Sequence, residues 1–203
     1  EKHPEKDSYS AKIEGFGGAN VNAYTTYDHT AYHFTVLSKH TKDSLEAIED
    51  MVFHPLFPEK DVENEMGSIR SEMDMGDDNT DRFFHKFVSG VLFKNLPYKY
   101  PVIGYKDRFN ALIREELLEY YRKTYVPNNC ILSIAGDVDR KEVLTYVNEL
   151  FGALPRGSRK GYIFEDDSPW SDTTFETVHP KASFPRAVFA WQTVTYMDED
   201  MYA

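Results

Sequence analysis

One stretch constrains the fold of this chain more than any other: residues Pro58 to Gly76, PEKDVENEMGSIRSEMDMG. Its apolar residues Val62, Met66, Ile69 and Met73 recur at intervals of four, three and four, the stripe of an amphipathic helix that turns one face to a core. Pro58 suits the first turn, where a missing N–H costs nothing, and Glu59 and Asp61 sit well at the positive end of the helix dipole. On such a helix Glu65 and Glu72 are one heptad apart, so they lie within about 20° of each other and about 10.5 Å apart along the axis. Both flank the apolar stripe. A carboxylate there is paired, hydrogen-bonded, bound to a cation or simply solvated at the rim, because an isolated buried charge is too costly. Direct ligands on one helix usually come three or four residues apart, so this spacing suggests one carboxylate on an ion and the other supporting it. Spacing alone favours the plainer reading of two solvated rim charges.

Around this helix the pattern is mixed. Residues 19–26 read as a strand, 27–29 as a turn and 31–37 as a return strand in which Tyr32, Phe34 and Val36 alternate with His33 and Thr35. The first strand, with polar Asn20 and Asn22, suits a sheet edge, where unpaired backbone groups could hold an extended peptide; a plain hairpin fits as well. Helices are expected at 42–53, closed by His54-Pro55, and from Asn79 or Thr80 through Phe93, with Phe83, Phe84, Phe87, Val88 and Val91 as core. Residues 95–109 form a tyrosine-rich loop, and 111–125 a further helix with Leu112, Leu117, Leu118 and Tyr121 on one side. Cys130–Gly136 reads as a short buried strand, and Asp139 caps a helix running to Phe151. Residues 186–194 return to strand, and a helix begins at Asp198, while the first twelve residues show no periodicity. Residues 1–160 are the main body, 161–180 a linker-like stretch, and 181–203 the start of a further portion.

The chain has 203 residues, enough for a substantial core, and a net charge of −11 that argues against nucleic acid or an anionic membrane as its partner. No apolar run approaches the length of a membrane span. The one cysteine, Cys130, cannot form an internal disulfide, lies in the apolar run CILSIAG and is expected to be a buried thiol. That fits a reducing compartment, and a cytoplasmic location is the expectation.

A catalytic zinc takes about three protein ligands and an open position. The sequence holds no HExxH and no HxxEH, nor GxSxG, P-loop or GxGxxG. His29 and His33, placed in one strand, would lie about 13 Å apart. His3, His40, His54, His85 and His179 are scattered. No complete catalytic set is visible.

Three segments together nevertheless resemble one family. GGANVNAYTTYDHTAYHF, EKDVENEMGSIRSEMDMGDDN and YRKTYVPNNCILSIAGDVD, the last followed by a helix, are similar in kind and order to the pitrilysin or insulinase-type metallopeptidases, which include the mitochondrial processing peptidases. The flavour is that of bacterial processing-peptidase-like members, and the resemblance implies an α+β fold, an antiparallel sheet packed by helices. The resemblance implies a zinc ion held by the two histidines of an inverted HxxEH motif and a glutamate on a later helix, with the motif's own glutamate as general base. Glu72 matches the later glutamate and Glu65 the accompanying acid one heptad earlier. The NAYT strand matches the edge on which the family's substrates lie, making Asn22, Ala23 and Tyr24 the implied substrate contacts. HxxEH is absent here, and family spacing would put it upstream of Glu1. The chain is thus expected to be a fragment of a zinc metalloendopeptidase acting on unfolded or short peptides, inactive alone, with Zn2+ ligands and a related domain or partner subunit supplied from outside. A non-catalytic scaffold subunit of the same fold, or a peptide-binding module using its edge strand, are the rival readings.

Overall fold

The computed structural model describes residues 8–158, 161, 164, 165, 167, 175, 177, 181–191, 193–195 and 197–202. Its elements run α1 (Ser8–Gly15), β1 (Ala19–Thr25), β2 (Thr30–Thr35), α2 (Thr41–Phe53), α3 (Glu59–Asp78), α4 (Thr80–Leu92), α5 (Lys106–Ala111), α6 (Arg114–Thr124) and α7 (Arg140–Phe151). Short 3₁₀ turns sit at Ser38–His40, Pro97–Lys99, Pro127–Asn129 and Glu199–Tyr202. Among the described residues the architecture is α+β, helix-rich with a two-stranded antiparallel sheet. The chain divides into two compact units, residues 1–67 with 110–161, and residues 68–109 with 162–203.

In the first unit α1 is a helix where the sequence showed no periodicity. Ile13, fully buried, anchors it, and the Tyr9 hydroxyl donates to Asp50 Oδ2 of α2 at 2.6 Å. Its C-terminus closes in a Schellman arrangement: Gly17 N–H donates to Glu14 O and Gly18 N–H to Ile13 O, with Gly17 at φ 71°. A side chain at Gly18 would put its Cβ 2.5 Å from Ile13 O, so the chain can turn into β1 here only without one. Leu45 and Ala47 of α2 are buried, and α2 meets α7 through Phe53 and Phe151, whose rings form an edge contact at 6.2 Å. From α6, Tyr121 donates its hydroxyl to Val52 O at 2.8 Å and packs on Phe57, while the Arg114 Nε donates to Phe57 O.

The second unit holds the later part of α3 with α4 and α5. Asn79 caps α4 by accepting the N–H groups of Asp81 and Arg82. Arg70 lies over the Phe109 ring at 5.9 Å, and Lys86 over Tyr105 at 5.4 Å. Within the stretch expected to be a linker, Asp167 is buried and accepts the N–H groups of Lys94 and Asn95, which holds its carboxyl below the usual aspartate range against the opposing cost of burial.

Several expectations are corrected. The aromatic face of α4 is half-buried rather than core. The helix expected at 111–125 begins only at Arg114, because the Glu116 carboxylate accepts Ile113 N–H at 3.1 Å and starts a new helix there. Cys130–Gly136 is not a strand among the described residues. It has no neighbouring strand to pair with, Ile131 is 97% exposed, and Cys130 is exposed too, although partial desolvation of the thiol still pushes its pKa up. The described part of 186–194 is likewise without strand pairing, with Trp191 78% exposed, and the final turn at Glu199–Tyr202 is 3₁₀. No described helix is long and apolar enough to cross a membrane.

Candidate functional site

α3 is one continuous helix, and Val62, Met66 and Ile69 are half-buried along it with Met73 buried. Glu65, in the part belonging to the first unit, is exposed, and its carboxylate has no hydrogen bond or ion pair among the described residues. Glu72, in the part belonging to the second, is exposed as well. Its neighbours along the last turns have all been taken by cations: Asp74 pairs with Lys106, Asp77 with Lys86 at 3.2 Å, and Asp78 with Lys181 at 2.6 Å. Among the described residues, Glu72 alone of these four acids has no such partner. Its carboxylate is left open on the face beside buried Met73.

No group of three His, Cys, Asp or Glu among the described residues could hold a metal ion. Of the histidines, His54 Nε2 is bound to buried Glu49 at 2.8 Å and His40 Nδ1 to Asp43 at 3.0 Å, so both are structural. His3 and His179 lie outside the described residues. Glu65 and Glu72 are both exposed carboxylates without an ion pair among the described residues, and a zinc site that used either would need its other protein ligands from elsewhere.

The second candidate region is the hairpin in the first unit. Thr26 N–H donates to His29 O at 2.8 Å and closes its turn. Counting back along the register, Thr25 faces Thr30, Tyr24 faces Ala31, Ala23 faces Tyr32 and Asn22 faces His33. Antiparallel pairs alternate between hydrogen-bonded and non-hydrogen-bonded, so the backbone groups of Ala23 and Thr25 point away from β2, to the open edge. No described strand covers that edge. Asn22 Oδ1 accepts the Ala23 N–H at 2.9 Å, satisfying one of these edge donors locally.

The two faces of the hairpin differ. Tyr32 turns inward and its hydroxyl meets that of Tyr125 at 2.9 Å. Burial pushes the Tyr125 phenol far above its usual value, with the Tyr32 hydrogen bond adding to it. Asn22, Tyr24 and His33 share the other, exposed face. There the Tyr24 ring is met by two imidazoles, His29 at 5.6 Å and 81°, and His33 at 6.0 Å and 58°. The sequence reading sets these two histidines aside as a metal pair because strand spacing would separate them; His29 lies in the turn, and the turn folds it back toward Tyr24.

With this geometry described, comparison with known proteins decides the family. Residues 1–106 match the profile of the insulinase family, peptidase family M16, and residues 111–203 that of the M16 inactive domain. This chain belongs to the M16 peptidase family. An M16 relative from Bacillus subtilis, the uncharacterized zinc protease YmfH, is 35% identical over 138 residues, 68% of this chain and 32% of the relative. An uncharacterized zinc protease from Rickettsia felis is 29% identical over 147 residues, covering 72% of this chain and 35% of that protein. The chain thus spans about a third of the length of these M16 relatives. Among solved structures, a protease from Helicobacter pylori aligns with a TM-score of 0.71 at 21% identity, over 77% of this chain and 38% of the other. The periplasmic protease PqqL from Escherichia coli aligns at 0.69 and 21%, over 80% of this chain and 19% of that one. At that identity the two structures speak for the M16 fold alone.

Proposed function

We propose that this chain is part of a zinc-dependent metalloendopeptidase that cleaves unfolded or short peptides, and that Glu72 is the third protein ligand of its metal. The observation that carries this reading is the open carboxylate of Glu72 on a helix whose neighbouring acids are each tied to a lysine. The relatives' description as zinc proteases supports it. Zinc, when bound, supplies Lewis-acid polarisation of the peptide carbonyl. This chain's own contributions are an oxygen from Glu72 and the support of Glu65 to the surroundings of that ligand. At the hairpin, the outward Ala23 C=O and the outward N–H and C=O of Thr25 hold the substrate main chain as an added strand, with Asn22, Ala23 and Tyr24 as its contacts.

A non-catalytic partner subunit of the same fold is the second reading, favoured by the match of residues 111–203 to the inactive-domain profile. Both readings are tested by assaying the full-length protein and the 203-residue chain on an unfolded peptide, with chelator and with zinc restored. The peptidase reading expects chelator-sensitive cleavage by the full-length protein and none by the 203 residues alone. Cleavage by the short chain would mean the metal site lies elsewhere. No cleavage by the full-length protein would leave the scaffold reading.

A further inference from the structure

We propose that the second unit carries a small-molecule site where the tyrosine-rich loop runs into α5. It is a cleft lined by Tyr100, Tyr105, Asp107 and Arg108, and it takes a singly charged carboxylate borne by an aromatic group. The proposal goes beyond the peptidase reading and uses neither the metal nor the hairpin.

The cleft is built locally. Tyr100 N–H donates to Pro97 O at 2.9 Å, and Gly104 N–H donates to Pro101 O at 2.8 Å. The second bond closes a turn in which Gly104 takes φ 82°, a conformation glycine adopts without strain. The turn brings together the tyrosines on either side of it, with ring centroids 6.3 Å apart and ring planes at 86°. α5 starts directly after Tyr105, and its first turn adds Asp107 and Arg108 to the same wall. The space enclosed is about 430 Å³, enough for a small organic ligand. Tyr100 is 51% exposed, so its ring is reachable from solvent.

Charge selects the ligand. Residues 94–108 carry four cationic side chains, Lys94, Lys99, Lys106 and Arg108, and one acid, Asp107, in a chain whose net charge is −11. Two of the nearby cations are neutralised: Lys106 by Asp74, and Lys86, which lies over the Tyr105 ring, by Asp77. Lys99 lies over the Tyr100 ring at 4.9 Å and donates to Lys94 O at 2.6 Å, a neutral acceptor that leaves its charge uncompensated. Arg108 is exposed, and its guanidinium has no hydrogen bond or ion pair among the described residues. An open guanidinium fork is matched by a carboxylate or a phosphate. Asp107, on the same wall, repels a doubly charged phosphate ester more than a single carboxylate, which decides for the carboxylate. The ring of the ligand follows from the tyrosines, since two perpendicular rings accept a third edge-on or offset. This chemistry occurs both at the end of a peptide with an aromatic C-terminal residue and in a free aromatic acid.

The experiment is calorimetric titration of full-length protein, treated with chelator so that no metal competes for the carboxylate. The ligands are N-acetylphenylalanine, its amide, N-acetylalanine and phenyl phosphate. N-acetylphenylalanine is expected to bind with a Kd on the order of 1 mM, as its size allows. It should bind about tenfold more tightly than its amide. Arg108→Gln brings acid and amide to within about twofold of each other, whereas Arg108→Lys, which keeps the charge, retains part of the preference. Tyr100→Leu weakens binding of the acid by about two- to tenfold. Both side chains are exposed, so the variants keep the urea midpoint of the unaltered protein. A short peptide ending in Phe with a free carboxylate separates the two sources: tighter binding than N-acetylphenylalanine points to a peptide end, equal or weaker binding to a small acid. Acid and amide binding alike, a preference that survives Arg108→Gln, or tightest binding of phenyl phosphate overturns the proposal. So does N-acetylalanine matching N-acetylphenylalanine, or no heat of binding from any ligand up to about 10 mM. The peptidase reading is judged separately, by cleavage.

Discussion

Replacing Tyr9 by Phe removes one oxygen and tests how α1 is held to the rest of the first unit. The Tyr9 hydroxyl donates to Asp50 Oδ2 at 2.6 Å, and Asp50 is only 7% exposed. Burial, and after it the Asp50 hydrogen bond, push the Tyr9 phenol far above its usual value, so it stays a donor across the neutral range. A phenylalanine ring keeps the packing but leaves the carboxylate without its donor, and an unsatisfied buried acceptor costs about 1–3 kcal/mol. For a chain of this size each kcal/mol shifts Tm by about 2–4 °C, so a loss near 2 kcal/mol lowers Tm by roughly 4–8 °C. In urea the midpoint moves by about 1 M if m is near 2 kcal/mol/M. The assay is thermal and urea unfolding of the protein, Tyr9→Phe, Asp50→Ala and the double variant. The two single changes should be non-additive by about 1 kcal/mol or more, because they delete the same bond. A Tm change under about 1 °C, or strict additivity, would refute the reasoning.

Three further outcomes are expected. Asn79→Ala removes the cap that accepts two N–H groups of α4 and should cost about 1 kcal/mol in urea unfolding, whereas Asn79→Gly should cost only a few tenths. Gly157→Ala would place a Cβ 2.4 Å from Val126 Cγ1, against a buried residue, and should destabilise by about 1–3 kcal/mol in the same experiment. The Tyr121 phenol is pushed up by burial to about 12, so the unfolded chain ionises first, near pH 10. Its contribution is complete below that pH and is lost as pH rises toward 12; unfolding free energy measured across that window should fall less steeply in Tyr121→Phe.

What the sequence shows plainly is whatever is decided locally. α3 and α7 are readable because stripe, proline and cap lie within a few residues of each other, and Asp139 does accept the N–H groups of Lys141 and Glu142. α1 escapes because its surface is polar and one buried isoleucine, with Tyr9 reaching across to Asp50, holds it. CILSIAG and RAVFAWQTV have the composition of strands, but a strand needs a neighbour, and pairing is a long-range event that composition does not record. The same limit applies at the site. That Glu72 belongs to a pair of carboxylates a heptad apart follows from counting. That Asp74, Asp77 and Asp78 would be matched by Lys106, Lys86 and Lys181 does not, because those lysines lie on α5, on α4 and near residue 181, and their approach to α3 depends on packing that spacing does not record. Likewise, the turn at His29 returns an imidazole to Tyr24 that strand spacing would have carried away.

Zinc content, measured by elemental analysis on the purified full-length protein with and without Glu72→Gln, bears on the metal assignment most directly. If Glu72 gives an oxygen to the metal, the wild-type protein holds about one zinc per chain and the variant loses both the metal and the cleavage of unfolded peptide while remaining folded, with the unfolding midpoint of the zinc-free wild-type protein. Unchanged zinc in a folded Glu72→Gln protein would contradict it and return Glu72 to the surface charges of α3.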